Sequence, residues 1–246
     1  MTASRRETLW GLVAVHAAGQ DRPVSVADVC DVAVSWAQVT GAWVTATSGP
    51  GPDFVICVTD PVSEQLAELQ LTLGEGPCHD VLASAAPVLT GDLGDEQAGR
   101  RWPAFTAEAG QLGAAAVFAF PLAVGAIVAG TMGLHRNSPG PLTRAQLGDS
   151  LLLADAATVL LLDGADHDGG AGLDGHASDL AAHRAEVDQA TGMLTLQLGV
   201  SAGEAFARLR AYAYAQDRRL ADVAGDIVAR RLRLNPEPDP APDGTA

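Results

Sequence analysis

The chain has 246 residues, 48% of them hydrophobic, and a formal net charge of −15. That is enough for one large or two modest domains with buried cores, and too acidic overall for simple, charge-driven nucleic-acid binding. Its three cysteines, Cys30, Cys57 and Cys78, are odd in number and lack metal-ligand spacing, so no metal or cofactor is expected and the thiols are expected to be reduced. No apolar run follows a basic amino-terminal segment as in a signal peptide, and no stretch reads as a membrane span; the expected setting is cytoplasmic, away from membranes.

Residues 1–24 form a helical extension, with Leu9, Leu12, Val13 and His16 near one face, broken at Asp21-Arg-Pro-Val. Ser25 is placed to cap a second helix running to about Thr40, with Val26, Val29, Val32, Ala33 and Trp36 inward. Ala42–Thr47 and Phe54–Val58 alternate as two strands of a hairpin around the turn Ser48-Gly-Pro-Gly-Pro52. Pro61 to about Leu73 returns to helical spacing, and Gly74-Glu-Gly-Pro-Cys-His-Asp80 turns into another short helix. Pro87–Thr90 is a short strand, and Arg101-Trp-Pro-Ala-Phe105 opens a helix ending near Gly113. Ala116–Leu122 and Gly125–Leu134 read as adjacent strands, and Thr143 caps a long helix to about Leu162. This order predicts an α+β fold, an antiparallel sheet with helices packed on it, over residues 25–163.

Within that span, Leu73-Gly-Glu-Gly-Pro-Cys78, Arg101-Trp-Pro-Ala-Phe105, Ala119-Phe-Pro-Leu122, Gly130–Leu134 and Pro139-Gly-Pro-Leu142, taken in order, resemble the GAF domain, a sensory module. The resemblance implies a pocket beside the sheet for an unidentified small molecule. Its candidate lining residues are Phe54, Cys57, Trp102, Phe105, Phe118 and Met132; all six read equally well as plain core. Cys78-His79 has two open readings, a metal or redox site at a helix start, where a thiol's pKa is lowered, and a buried structural cysteine. His79, Asp80 and Ser84 lie close in sequence, but no glycine elbow presents the serine, and Gly74-Glu-Gly76 lacks dinucleotide spacing. No catalytic residues are assigned.

Asp163–Gly175 is rich in glycine and aspartate and without periodicity, so residues 164–176 are expected to be a linker. Three helical patterns then fill 177–234. Val187, Ala190, Leu194 and Leu198 share one face before Gly199 stops the first. Ser201-Ala-Gly-Glu204 is a capping box for the second, whose inward face is Ala205, Leu209 and Ala213. Leu220, Val223, Ala224, Ile227 and Val228 belong to the third. The proline- and acid-rich residues 235–246 are expected to be disordered.

Val187-Asp-Gln-Ala-Thr-Gly-Met-Leu194, Ser201, Glu204-Ala-Phe206, Leu209-Arg210, Ala213 and Leu220-Ala-Asp-Val-Ala224 closely resemble the ANTAR domain, a family of RNA-binding transcription antiterminators. The resemblance implies a bundle that holds paired stem-loops in nascent mRNA. It departs at Thr191, where the family usually has lysine. At about 100° per residue, Arg210 and Tyr214 lie outward, turned away from Leu209, with Arg218 beyond. An arginine beside a tyrosine suits phosphate contact and base stacking. The candidate RNA-binding residues are therefore Thr191, Gly192, Arg210, Tyr214 and Arg218; the other reading of the face is a solvated arginine surface with Tyr214 at a dimer contact.

Charge divides the same way. Residues 1–175 hold seven arginines against twenty acids, whereas 176–235 hold eight against seven; two readings stay open, acidity that merely keeps the protein soluble and an RNA-free state favoured by repulsion from the acidic part. The expected whole is a dimeric, non-enzymatic regulator in which a GAF-like sensor controls an RNA-binding antiterminator. Two other readings stay open: a GAF-mediated dimeric interaction protein whose degenerate bundle binds protein, and a ligand or redox sensor whose output is phosphatase or kinase contact.

Overall fold

The computed structural model describes residues 2–47, 53–165 and 175–234. The predicted turn at 48–52, residues 166–174 of the predicted linker and the predicted disordered tail lie outside the described residues, while positions 164–165 and 175–176 of that linker belong to helices.

Helix α1 spans Thr2–Gly19 and α2 spans Val26–Ala37. The carboxylate of Asp28 holds the start of α2: it accepts from the Ser25 backbone N–H (2.8 Å) and takes two bonds from Arg22 (2.7 and 2.9 Å). Asp28 is fully buried, so this pairing offsets the cost of removing its charge from water. Helix α2 ends before the expected Thr40 because Gln38 turns left-handed at φ 51°.

Strands β1 (Gly41–Ala46), β2 (Phe54–Val58), β3 (Val88–Thr90), β4 (Ala116–Val124) and β5 (Ile127–Arg136) form one sheet in the order β2-β1-β5-β4-β3. Every neighbouring pair is antiparallel, as the α+β reading expects. One face buries Val44, Phe118, Phe120, Met132 and Leu134 against α2 and helix α7, Arg144–Ala165. The other buries Trp43, Val117 and Ala119 under α3 (Pro61–Leu73), α4 (Pro77–Ser84), α5 (Glu96–Arg101) and α6 (Pro103–Gln111). On this second face the Trp43 indole lies across Gly133, where a Cβ would come within 2.1 Å of the ring.

Two expectations are corrected. The single helix expected from Arg101 is two, because Trp102 adopts non-helical torsions (φ −138°, ψ 71°) before Pro103 starts α6; a residue before proline is pushed out of the helical region. Secondly, α7 is long and apolar enough over Arg144–Asp163 to cross a membrane by length and composition (mean hydropathy 1.4), contrary to the sequence reading. Here it packs on α2 and β4, and its Asp149 and Asp155 pair with Arg5 and Arg6 of α1 at 2.6 and 2.8 Å.

Helices α8 (Gly175–Leu198), α9 (Ala202–Ala215) and α10 (Leu220–Val228) form the bundle. Its core is Ala190, Leu194, Ala205, Leu209, Ala213, Leu220, Val223, Ala224 and Ile227, with small residues that let the helices approach closely. Gly199 ends α8 at φ 67°. Ser201 accepts from the Glu204 N–H (3.3 Å), the first half of the expected capping box, while the Glu204 carboxylate takes Arg208 at 2.8 Å. The bundle rests on the sheet domain, α9 against α3 and α8 against β2.

Candidate nucleic-acid interface

The contact between α9 and α3 decides what the candidate RNA residues face. Arg210 does point away from Leu209, but it points into the sheet domain. Its Nη1 donates to the Leu71 carbonyl at 3.2 Å, in the last turn of α3, where carbonyls lack helical partners and the helix dipole is negative. Gly74 follows at φ 68°, and a Cβ there would come within 2.7 Å of Arg210 Nη1. Burial lowers the pKa of the guanidinium, and Asp53 acts in the opposite direction.

Arg210 and Phe206 thereby close one side of a chamber of about 140 Å³ that also has Trp43, Asp53, Gln70 and Cys78 in its wall. The buried Nε of Arg210 and the Nε1 of Trp43 have no hydrogen-bond partner. Burial raises the pKa of Asp53, a shift opposed by a hydrogen bond from Thr47 and by the charges of His79 and Arg210.

Tyr214 is 53% exposed. It shares with Arg218 and Arg219 an open groove whose opposite wall carries Glu64, Glu68 and Glu108 of α3 and α6. Arg218 is drawn to α10, at 2.6 Å from Asp226 Oδ2. Gly192 is exposed, and a Cβ on it would meet open space. Thr191 is buried, and its hydroxyl donates to the Val187 carbonyl at 2.8 Å. The structure therefore gathers Arg210, Tyr214 and Arg218 along one side of the module and sets Thr191 in its interior.

Two arginines absent from the sequence-based set join that side. Arg219 bridges Glu64 (2.7 Å) and Glu68 (2.9 Å), and Arg184 lies 3.3 Å from the centroid of the Phe54 ring. Glu64 and Glu68 stand one turn apart on α3, a legible sign that the helix presents a carboxylate pair.

The six candidate ligand residues do not share one wall. Phe118, Met132 and Cys57 lie in the core beneath α2 and α7, with Cys57 Sγ 3.0 Å from Cys30 Sγ. Trp102 and Phe105 are buried on the opposite face of the sheet, and Phe54 sits under Arg184 on the edge strand. Ser84 donates to the backbone carbonyl of Asp80 (2.7 Å), whose carboxylate takes Arg101 (2.6 Å) and the Trp102 indole (3.1 Å). Among the described residues, no group of three or more His, Cys, Asp or Glu residues is placed to hold a metal ion.

Residues 176–228 match the family model of the ANTAR domain. Among solved structures, the chain is similar to the GAF domain of a phosphoenolpyruvate-protein phosphotransferase from Coxiella burnetii, at 12% identity and a TM-score of 0.50, over 65% of this chain and 96% of that one. It is also similar to the GAF domain of the Acinetobacter phosphoenolpyruvate-protein phosphotransferase (11%, TM-score 0.48, 68% and 96%) and to the GAF-B domain of DevS from Mycobacterium smegmatis (17%, TM-score 0.41, 57% and 93%). None of the curated proteins compared matches the chain.

Proposed function

Because the chain joins a GAF-fold sheet domain to a carboxyl-terminal ANTAR domain, we propose that it is a signal-responsive, RNA-binding transcription antiterminator. The observation that carries the reading is the family match, which spans all three helices of the bundle. In this reading 25–163 is the sensor, 164–176 the link and 177–234 the RNA module, which binds stem-loops in nascent mRNA. The sensor takes a small molecule, and the working form is a cytoplasmic homodimer. Trp10 of α1 and Leu151, Val159 and Leu162 of α7, each at least 41% exposed, form an apolar strip that supports the dimer. ANTAR and GAF domains are regulatory and sensory units, and the reading includes no catalysis.

The test is titration of a paired stem-loop RNA at several salt concentrations. Affinity should fall as salt rises, because each neutralised phosphate releases counterions. Tyr214→Ala should lose about 1–3 kcal/mol with little change in salt slope, since stacking on a base is not ionic. One observation favours a second reading, a bundle that binds protein: Thr191, at the family's usual lysine position, is turned inward onto its own helix.

A further inference from the structure

Three arginines of the ANTAR domain are committed to the sheet domain: Arg184 on Phe54, Arg210 on the carbonyl end of α3, and Arg219 on Glu64 and Glu68. Glu108 of α6 extends the row of carboxylates across the groove from Tyr214 and Arg218. RNA offers anionic oxygens and aromatic base faces, and this surface meets the same arginines with the carboxylates of Glu64 and Glu68, a helix-terminal carbonyl and the Phe54 ring. The two cannot hold the same guanidinium groups at once, and RNA entering a groove walled by three carboxylates is repelled at low salt.

We propose that α3 occupies the RNA-binding face of the ANTAR domain, so that the docked chain is the RNA-free form and RNA must displace α3 to bind. This rests on the RNA-binding reading given above and adds to it the device that restrains it. The arrangement is an intramolecular competitor: a helix of the sensor stands where phosphate would stand. Its strength is set by the two partly exposed ion pairs of Arg219, which are individually weak, and by the seating of Arg210 against Gly74. A modest change at the sensor is therefore sufficient to release it.

The test uses the full chain carrying Glu64→Gln and Glu68→Gln, which removes charge from α3 and alters no residue assigned to RNA. Two quantities are read: hydrogen–deuterium exchange along α3 and α9, and affinity for a stem-loop RNA at fixed low salt. The expected result is faster exchange in both helices together with tighter RNA binding, by a factor between about 5 and 150, the usual span of coupling between sites. RNA added to the wild-type chain should likewise speed exchange in α3. Gly74→Ala, whose methyl would collide with Arg210, is the second route to the same opening. Faster exchange without tighter binding, in a chain whose wild type does bind RNA, overturns the proposal, because the face was then never covered. Unchanged exchange in both variants overturns it too, because α3 is then not held by these contacts. If the variants open and no form binds RNA, the RNA reading itself fails and the proposal falls with it.

Discussion

At the scale of single residues, direction on a helix was legible and destination was not. The helical angle turns Arg210 away from Leu209, and the side chain does leave the bundle core. Away from one core, however, is toward another: the guanidinium ends on the Leu71 carbonyl, 139 positions earlier in the chain, and no local pattern encodes that meeting. Cys78 carries a second lesson of the same kind. Its place at the start of α4 leaves two readings open, a reactive thiol and a buried structural cysteine, and the structure gives the second: the residue is buried and its N–H donates to Gln70 Oε1 (2.8 Å). Burial pushes the thiol up to about 11, so at pH 8 only about one molecule in a thousand carries the thiolate, the form that reacts. Alkylation of Cys78 by iodoacetamide at pH 8 should be slow in the folded chain and reach the free-thiol rate only in denaturant. Equal rates in both states, followed by mass spectrometry, would show that the side chain is accessible after all.

Among the elements, those with strong local chemistry were readable. The hairpin strands, the β4–β5 pair and the three bundle helices follow from alternation, helical spacing and capping. The break between α5 and α6 is signalled by Pro103, which restricts Trp102, but the helical spacing around Arg101-Trp-Pro reads as one continuous helix and masks it. The inward phase of α9 is open to direct measurement. Leu209 is fully buried among Ala190, Leu194 and Ile227, and truncating a buried leucine costs about 2–5 kcal/mol. Leu209→Ala should lower the thermal or urea midpoint of the helical module while the sheet domain's transition stays in place. A module that melts as before would mean that α9 packs in another phase.

For the whole molecule, the charge division between the two halves is visible in the sequence, and repulsion of RNA by the acidic part is one of the two readings it leaves open. It does not reveal how the two domains dock, and the proposed opposition by contact depends on that. The glycine- and aspartate-rich stretch 163–175 is expected to be the preferred site of limited proteolysis. If the docking described here persists in solution, a chain cut there should still elute as one particle at low salt. It should separate as salt rises, because pairs such as Arg219 with Glu64 and Glu68 are partly exposed and screened within about 10 Å at 0.1 M. Immediate separation at low salt would show that the covalent connection alone keeps the halves together.

The seating of Arg210 in the chamber wall has a consequence for timing and dose. Arg210 lines the chamber and lies on the face proposed for RNA, so if a small molecule fills the one and RNA covers the other, occupancy at the two places is linked without any relay through the fold. Linkage is reciprocal. If filling the cavity changes RNA affinity by some factor, RNA must change the cavity's affinity by the same factor. The transcript would then be an effector of the sensor as well as its target, and the effector concentration needed for half-response would shift with the amount of RNA in the cell.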